Sequence, residues 1–306
     1  MRGMRRLLES AARFDPRTPV FATARSLLAF AQLCGILFTP DRDLILAVPH
    51  PDLPGPCGGI NGISMWCVTG GDSTPNPSAR MVAVAVLTAV MIGVKPRWLC
   101  IPHWYIAFSV STSVTIADGA ASISEIVCEL LIPQGLGDTR RTHWGRSRVP
   151  LAPHWRGSAY AAHLVLRAQV AIVYLSAAIM KMQHSAWRRG QALRIIMQDP
   201  QFGAPGLVRP AVDSLLRHGW LSSAAMWSTL AIEVGIGTAM LGGASARRYA
   251  LGATIVLHLF IMTLMGLFGF ALVMMATVAF ASTTTPLRKA ATSADRVQPV
   301  RSVVRR

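Results

Sequence analysis

Arg167 and Lys181 are the two charges inside LRAQVAIVYLSAAIMKMQHSAWRRG, the run from Leu166 to Gly190 that Trp187 and a pair of arginines close. An ionised side chain at the centre of a membrane helix costs on the order of 2.5–3.5 kcal/mol on insertion scales, so such residues persist when paired or used. Lys181 has two roles open to it. Its ammonium can snorkel to the headgroups, or apolar surroundings can weaken its preference for the charged form and make it a general base or nucleophile. Carboxylates that could answer these cations are Asp118, Glu125, Glu129 and Glu233, with Glu125 and Glu129 at i and i+4 on one helix face. Counting along the apolar runs puts Arg167, Glu129, Glu233 and His258 at similar depth, and Lys181, Glu125 and Asp118 nearer the outer surface. The expected arrangement is an intramembrane polar cluster in which Arg167 meets Glu129 or Glu233. Lys181 then faces an outward cavity within reach of Glu125 or Asp118.

Other reactive residues are sparser in pattern. Cys34, Cys100 and Cys128 lie in apolar runs, where a thiol is usually an inert core residue. Cys57 and Cys67 share the Gly/Pro-rich loop PGPCGGINGISMWCVTGG, where they form either a disulfide or two free thiols. No second Cys pair or His stands at zinc spacing, and the histidines make no HExxH set, so no metal is expected. A P-loop, a GxGxxG in strand context and a G-x-S-x-G are all missing from the sequence, which assigns it no cofactor and no energy-coupling or hydrolase module.

These residues need lipid-immersed helices to position them. Of 306 residues, 52% are hydrophobic and only 14% charged, well below the ~25% charge of ordinary soluble domains. Lys and Arg exceed Asp and Glu by 30 to 14, but the excess sits in loops and tails, which suits orientation and anionic lipid and not nucleic acid. The expected fold is all-α, a polytopic transmembrane helical bundle of about 7–8 membrane segments. Residues 1–19 form a basic cytoplasmic N-terminus, 20–282 the transmembrane domain, and 283–306 a disordered basic tail. Spans are expected at Val20–Phe38, Met81–Val94, Leu99–Ala117, Ser122–Pro133, Ser158–Met182 and Ser222–Gly242. The block Tyr249–Ala281 is too long for one crossing and is expected to bend at Gly266 and Gly269. By the positive-inside tendency the arginine-rich loop from Gln134 to Gly157 is cytoplasmic, and WRRGQALRIIM lies as an amphipathic helix in the opposite interface.

Several collinear segments resemble the sporulation-delaying protein B (SdpB) family. They are TPVFATARSLLAFAQLCGILF, ISMWC between the loop cysteines, IPHWYIAFS, IADG followed by ELLIP, and the string Asp138-x-Arg140-x-x-His143-Trp144. LRAQVAIVYLSAAIMKM with Trp187 and Gly190, Trp227 with Glu233, and His258, Gly266, Phe270 and Met274 continue the order. This family belongs to the HTTM (horizontally transferred transmembrane) group, which also contains vitamin K-dependent gamma-carboxylase. The resemblance implies an HTTM-like, multi-pass protein of the bacterial cell membrane. It would help mature or export a secreted antimicrobial toxin peptide, with other operon-encoded maturation proteins as partners. It also sets Lys181 where the carboxylase branch has its catalytic base, so the alternative is a membrane-embedded enzyme acting on a peptide or lipid-quinone substrate. The carboxylase histidine is not reproduced: the corresponding stretch reads Asp138-Thr139-Arg140-Arg141, with His143 later.

Overall fold

A computed structural model describes residues 2–40, 44, 57–70, 76–113, 119–147, 149–199 and 203–283. Among them are thirteen α-helices and no strand: α1 (Arg2–Arg13), α2 (Pro19–Phe38), α3 (Met65–Val68), α4 (Pro77–Ile92), α5 (Pro96–Ser111), α6 (Ala120–Leu136), α7 (Pro153–Gln183), α8 (Ser185–Arg188), α9 (Ala192–Gln198), α10 (Arg209–Leu216), α11 (Gly219–Leu241), α12 (Ala244–Met265) and α13 (Phe268–Ser282). Asp118 and the tail from 284 onward lie outside the described residues.

Helices α2, α7, α11 and α12 are long and apolar enough to cross a bilayer, whose core of ~30 Å takes ~20 residues. The shorter α4, α5, α6 and α13 pack among them. Local chemistry sets the starts. Thr18 caps α2 by accepting from the Phe21 amide at 3.2 Å, Asn76 caps α4 by accepting from Ser78 N at 2.9 Å, and each cap is followed by a proline. Proline at the first helical position lacks an N–H that would be unpaired there anyway.

The hub is α13. Eleven of its fifteen residues are buried, and it packs against α2, α12, α7 and α6. A helix that is apolar all round has no face for water, and every side of it can be covered by its neighbours in the middle of the bundle. Phe280 meets Phe21 of α2 edge-on with ring centroids 5.0 Å apart, and Met274, Ala276 and Val278 continue the contact surface. The chain breaks between α12 and α13 at Gly266, whose φ of 69° closes α12 through a hydrogen bond to the Met262 carbonyl at 3.1 Å. A β-carbon there would sit 3.0 Å from Pro205, so the close approach of the 203–208 segment also favours glycine.

The two ends of the bundle differ. At the proximal end, where the N-terminus lies, Phe14 is buried with Leu151, Ala159 and Tyr160. At the distal end a disulfide joins Cys57 to Cys67. The adjoining α3 is plugged in by Trp66, which is fully buried and donates from Nε1 to the Ser109 carbonyl at 2.9 Å. Also distal, α9 and α10 bury Met197, Val212 and Leu216 with Ala204 and lean on Leu264 and Met265 of α12.

Candidate functional site

At the distal side Lys181 Nζ donates to Glu233 Oε1, linking α7 to α11. The helices run antiparallel, and side chains tilt toward their own helix N-terminus, so the lysine reaches inward while the glutamate reaches outward to meet it. Glu233 is buried, whereas the lysine side chain is a quarter exposed, and its ammonium lies 5.5 Å from the Trp187 ring centre. The cation therefore stands between a sunken carboxylate and an indole at the rim.

Behind this pair lies a polar floor. The second carboxylate oxygen, Glu233 Oε2, is buried without a protein partner, as are the Tyr174 hydroxyl and Thr254 Oγ1. Tyr174 stands two turns below Lys181 on α7 and lies within the field of Glu233. It faces Thr254 without making a hydrogen bond of ordinary geometry. His258 Nδ1 donates to the Thr254 carbonyl at 3.0 Å, and its ring meets Tyr174 edge-on at 6.1 Å and Phe270 at 5.7 Å. A buried polar atom without a partner costs ~1–3 kcal/mol, so three in one place mark a surface shaped for polar contact with something other than its own side chains.

The expected cluster is only partly assembled. Glu233 meets Lys181 and not Arg167, because Arg167 sits nearer the proximal end than the count along the runs implied. It caps the end of α11, donating from Nε to the Met240 carbonyl at 3.0 Å and from an η nitrogen to the Gly242 carbonyl at 3.1 Å. Unpaired carbonyls at a helix C-terminus attract a cation as a carboxylate does, and they leave no mark in the side-chain sequence. Glu125 is half-buried and Glu129 exposed on α6, and neither forms an ion pair among the described residues. The pairing of Lys181 with Glu125 is replaced by Glu233, and its alternative, Asp118, lies outside the described residues.

The string from Asp138 to Trp144 forms a separate proximal structure. Arg140 grips Asp138 with Nε to Oδ1 at 2.8 Å and an η nitrogen to Oδ2 at 2.7 Å, while its other η nitrogen donates to the Gly145 carbonyl at 2.6 Å. The loop is sewn to the α4–α5 turn: Lys95 N donates to the Arg141 carbonyl at 2.8 Å and His143 N to the Gly93 carbonyl at 3.0 Å. His143 lies buried, its Nε2 3.2 Å from the Ser26 hydroxyl and its ring edge-on to the exposed Trp144. Burial, then the nearby Arg25 and Arg140, pull its pKa down to about 4 against the opposing Asp138, so this imidazole is neutral near pH 7. Gly93 has a φ of 92°, and a β-carbon there would lie 2.6 Å from the imidazole.

Tyr174, Thr254 and Arg25 were not singled out by sequence reasoning. Hydroxyls in apolar runs carry no signal of their own, but Arg25 offered the same one as Arg167, a cation inside a hydrophobic stretch.

A long apolar α7–α11 pair tied by a buried carboxylate and a cation at its rim defines a class. Residues 152–284 match the family model described as the HTTM domain, which covers Lys181, Glu233, Tyr174, Thr254 and His258. The chain is also similar to two proteins of Bacillus subtilis (strain 168). It is 26% identical over 247 residues to sporulation-delaying protein SdpB, covering 80% of this chain and 75% of that protein. It is 25% identical over 278 residues to uncharacterized protein YitO, covering 87% and 86%. The resemblance carried by the sequence motifs thus holds: the chain is a membrane protein with an HTTM-like segment, similar to SdpB over most of its length. No solved structure matches it.

Proposed function

We propose that this chain takes part in maturing or exporting a secreted antimicrobial peptide, working in the bacterial cell membrane with its N-terminus in the cytoplasm and Lys181 toward the outside. The role is the one that the resemblance to the SdpB family implies, supported by the similarity to SdpB, and the orientation follows the basic residues around α1 and the 137–152 loop. The observation that carries the reading is the Lys181–Glu233 pair with Trp187 at its rim and unpartnered polar atoms behind it. A peptide entering there finds an ammonium for a carboxylate or carbonyl, an indole for an apolar side chain, and acceptors for backbone N–H groups.

The second reading is a membrane-embedded enzyme with Lys181 as base. Glu233 Oε2 favours it, since a carboxylate with one oxygen free can relay a proton. Against it, an ammonium engaged with a carboxylate has no lone pair to offer until it gives up a proton. Measurement of peptide secretion and of its mass in cells carrying Lys181→Arg separates the two. Secretion at near wild-type level supports a cation that holds the peptide. Loss of the mature product at normal protein abundance supports base chemistry, and secretion unaffected by Lys181→Met or Glu233→Gln removes the site from both.

A further inference from the structure

At the proximal end two guanidiniums converge on one carbonyl. Arg247, in the first turn of α12, donates from an η nitrogen to the Gly242 carbonyl at 2.9 Å, and Arg167 of α7 donates to the same oxygen at 3.1 Å. Arg247 Nε is buried without a partner, and each guanidinium keeps a further η nitrogen outside any described bond. One and two turns before Arg167, on the same face of α7, stand His163 and Tyr160. His163 is 4% exposed, makes no hydrogen bond among the described residues, and lies within the field of both Arg167 and Arg247. The Tyr160 hydroxyl acts on both arginines as well.

The turn fixes the depth of this group. Gly242 and Gly243 join α11 to α12 outside both apolar spans, Gly219–Leu241 and Ala244–Met265. Helix α13 ends beside them, where Ser282 Oγ donates to the Arg247 carbonyl at 3.1 Å. Helix ends gathered at one level mark the membrane surface. Helix α7 is ~46 Å long against a core of ~30 Å, so its first turns stand clear of the bilayer and carry the contacts with Phe14.

Charge here does not cancel. No carboxylate pairs with Arg167 or Arg247 among the described residues. The end of α11 presents about half a negative charge and the start of α12 about half a positive one, so the two dipoles offset each other and both guanidiniums remain uncompensated. The start of α12 has no side-chain cap, and Gly243, Ala244 and Ser245 are exposed, which leaves its first amides open too.

We infer that Arg167, Arg247 and His163, with the first turn of α12, form a binding site for a phosphate monoester group at the proximal membrane surface. Such a group carries about −1.5 to −2 charge near pH 7, which matches two guanidiniums. Its oxygens accept from the two arginine forks and from an imidazole N–H. The site is open and not enclosed: a β-carbon at Gly243 would meet nothing within 4 Å, so a headgroup has room. The same chemistry can arrive on a lipid or as free phosphate.

The experiment melts the detergent-purified full chain at pH ~7.5 and fixed ionic strength with gluconate as the bulk anion. Sodium phosphate is added in one arm and dioctanoyl phosphatidic acid in the other, with dioctanoyl phosphatidylcholine as the zwitterionic control. At ten times its dissociation constant, a bound ligand should raise the melting temperature by about 3–6 °C for a chain of this size. A rise with phosphate assigns the bare group, and a rise with phosphatidic acid alone assigns the lipid. Gly243→Asp places a carboxylate beside the arginines at the N-cap of α12, where aspartate is favoured, so this variant should fold at least as well and lose the response. Arg247→Gln should lose it by removing one cation. An unresponsive wild type, an equal rise with phosphatidylcholine, or a response that survives either variant overturns the inference.

Discussion

Removing Lys181 should harm the protein more than removing its partner, and the inequality follows from burial. With Lys181→Met, the Glu233 carboxylate stays among apolar side chains with both oxygens unpartnered, since Oε2 already has none. Breaking a buried pair from one side costs ~3–5 kcal/mol. The low end applies here, because the lysine side chain is a quarter exposed, so water reaches the position it vacates. With Glu233→Gln, the lysine keeps the Trp187 face and can swing to solvent, so the cost is ~1–2 kcal/mol. The double variant Lys181→Met with Glu233→Gln leaves no uncompensated charge and should recover more than half of the larger loss. Thermal unfolding of the detergent-purified chain, followed by tryptophan fluorescence, reads this as a fall of roughly 6–12 °C for Lys181→Met, using ~2–4 °C per kcal/mol. Additive effects in the double variant, or a greater loss from Glu233→Gln than from Lys181→Met, would refute the reasoning.

Arg167→Leu frees the Met240 carbonyl at the end of α11 and leaves the Gly242 carbonyl to Arg247, so it should cost ~1–2 kcal/mol in the same unfolding assay; adding Glu129→Gln should restore nothing, since no ion pair is involved. Gly93→Ala combines a left-handed backbone with a β-carbon driven into the His143 ring, so a loss of ~2 kcal/mol or more is expected, together with faster proteolysis of the 138–147 loop. His143 has a folded pKa below its unfolded value, so the stability it lends is complete above pH 6.5 and declines as pH falls toward about 4. The full loss is roughly 3 kcal/mol, and melting curves of His143→Gln over this interval should show a flatter pH dependence than wild type.

How far the sequence was legible depends on the kind of signal. Apolar runs bounded by Pro, Gly and Arg gave up their helices readily: α2 starts at Pro19 and α12 stops at Gly266, where a break was expected. The charge pairing was less legible, because depth counted along each run accumulates error over a helix as long as the 31 residues of α7. Lys181 and Glu233 were both flagged, but not as partners, and the lean of each side chain toward its helix start brings them together across that difference in depth. Arg167 was misread for another reason, since its acceptors are main-chain carbonyls that every residue possesses. Tyr174 and Thr254 become conspicuous only when burial shows their hydroxyls to be unmatched.

The buried position of α13 has a bearing on biogenesis. This segment, with eleven of its fifteen residues buried, is synthesised after every helix it packs against, so the earlier helices must wait in the membrane as an open ring with its hub absent. Their facing surfaces are then available to the insertion machinery or to one another in wrong pairings. A ribosome stalled before residue 268 would therefore leave a product whose helices have all been made but whose centre has not, a natural substrate for membrane quality control.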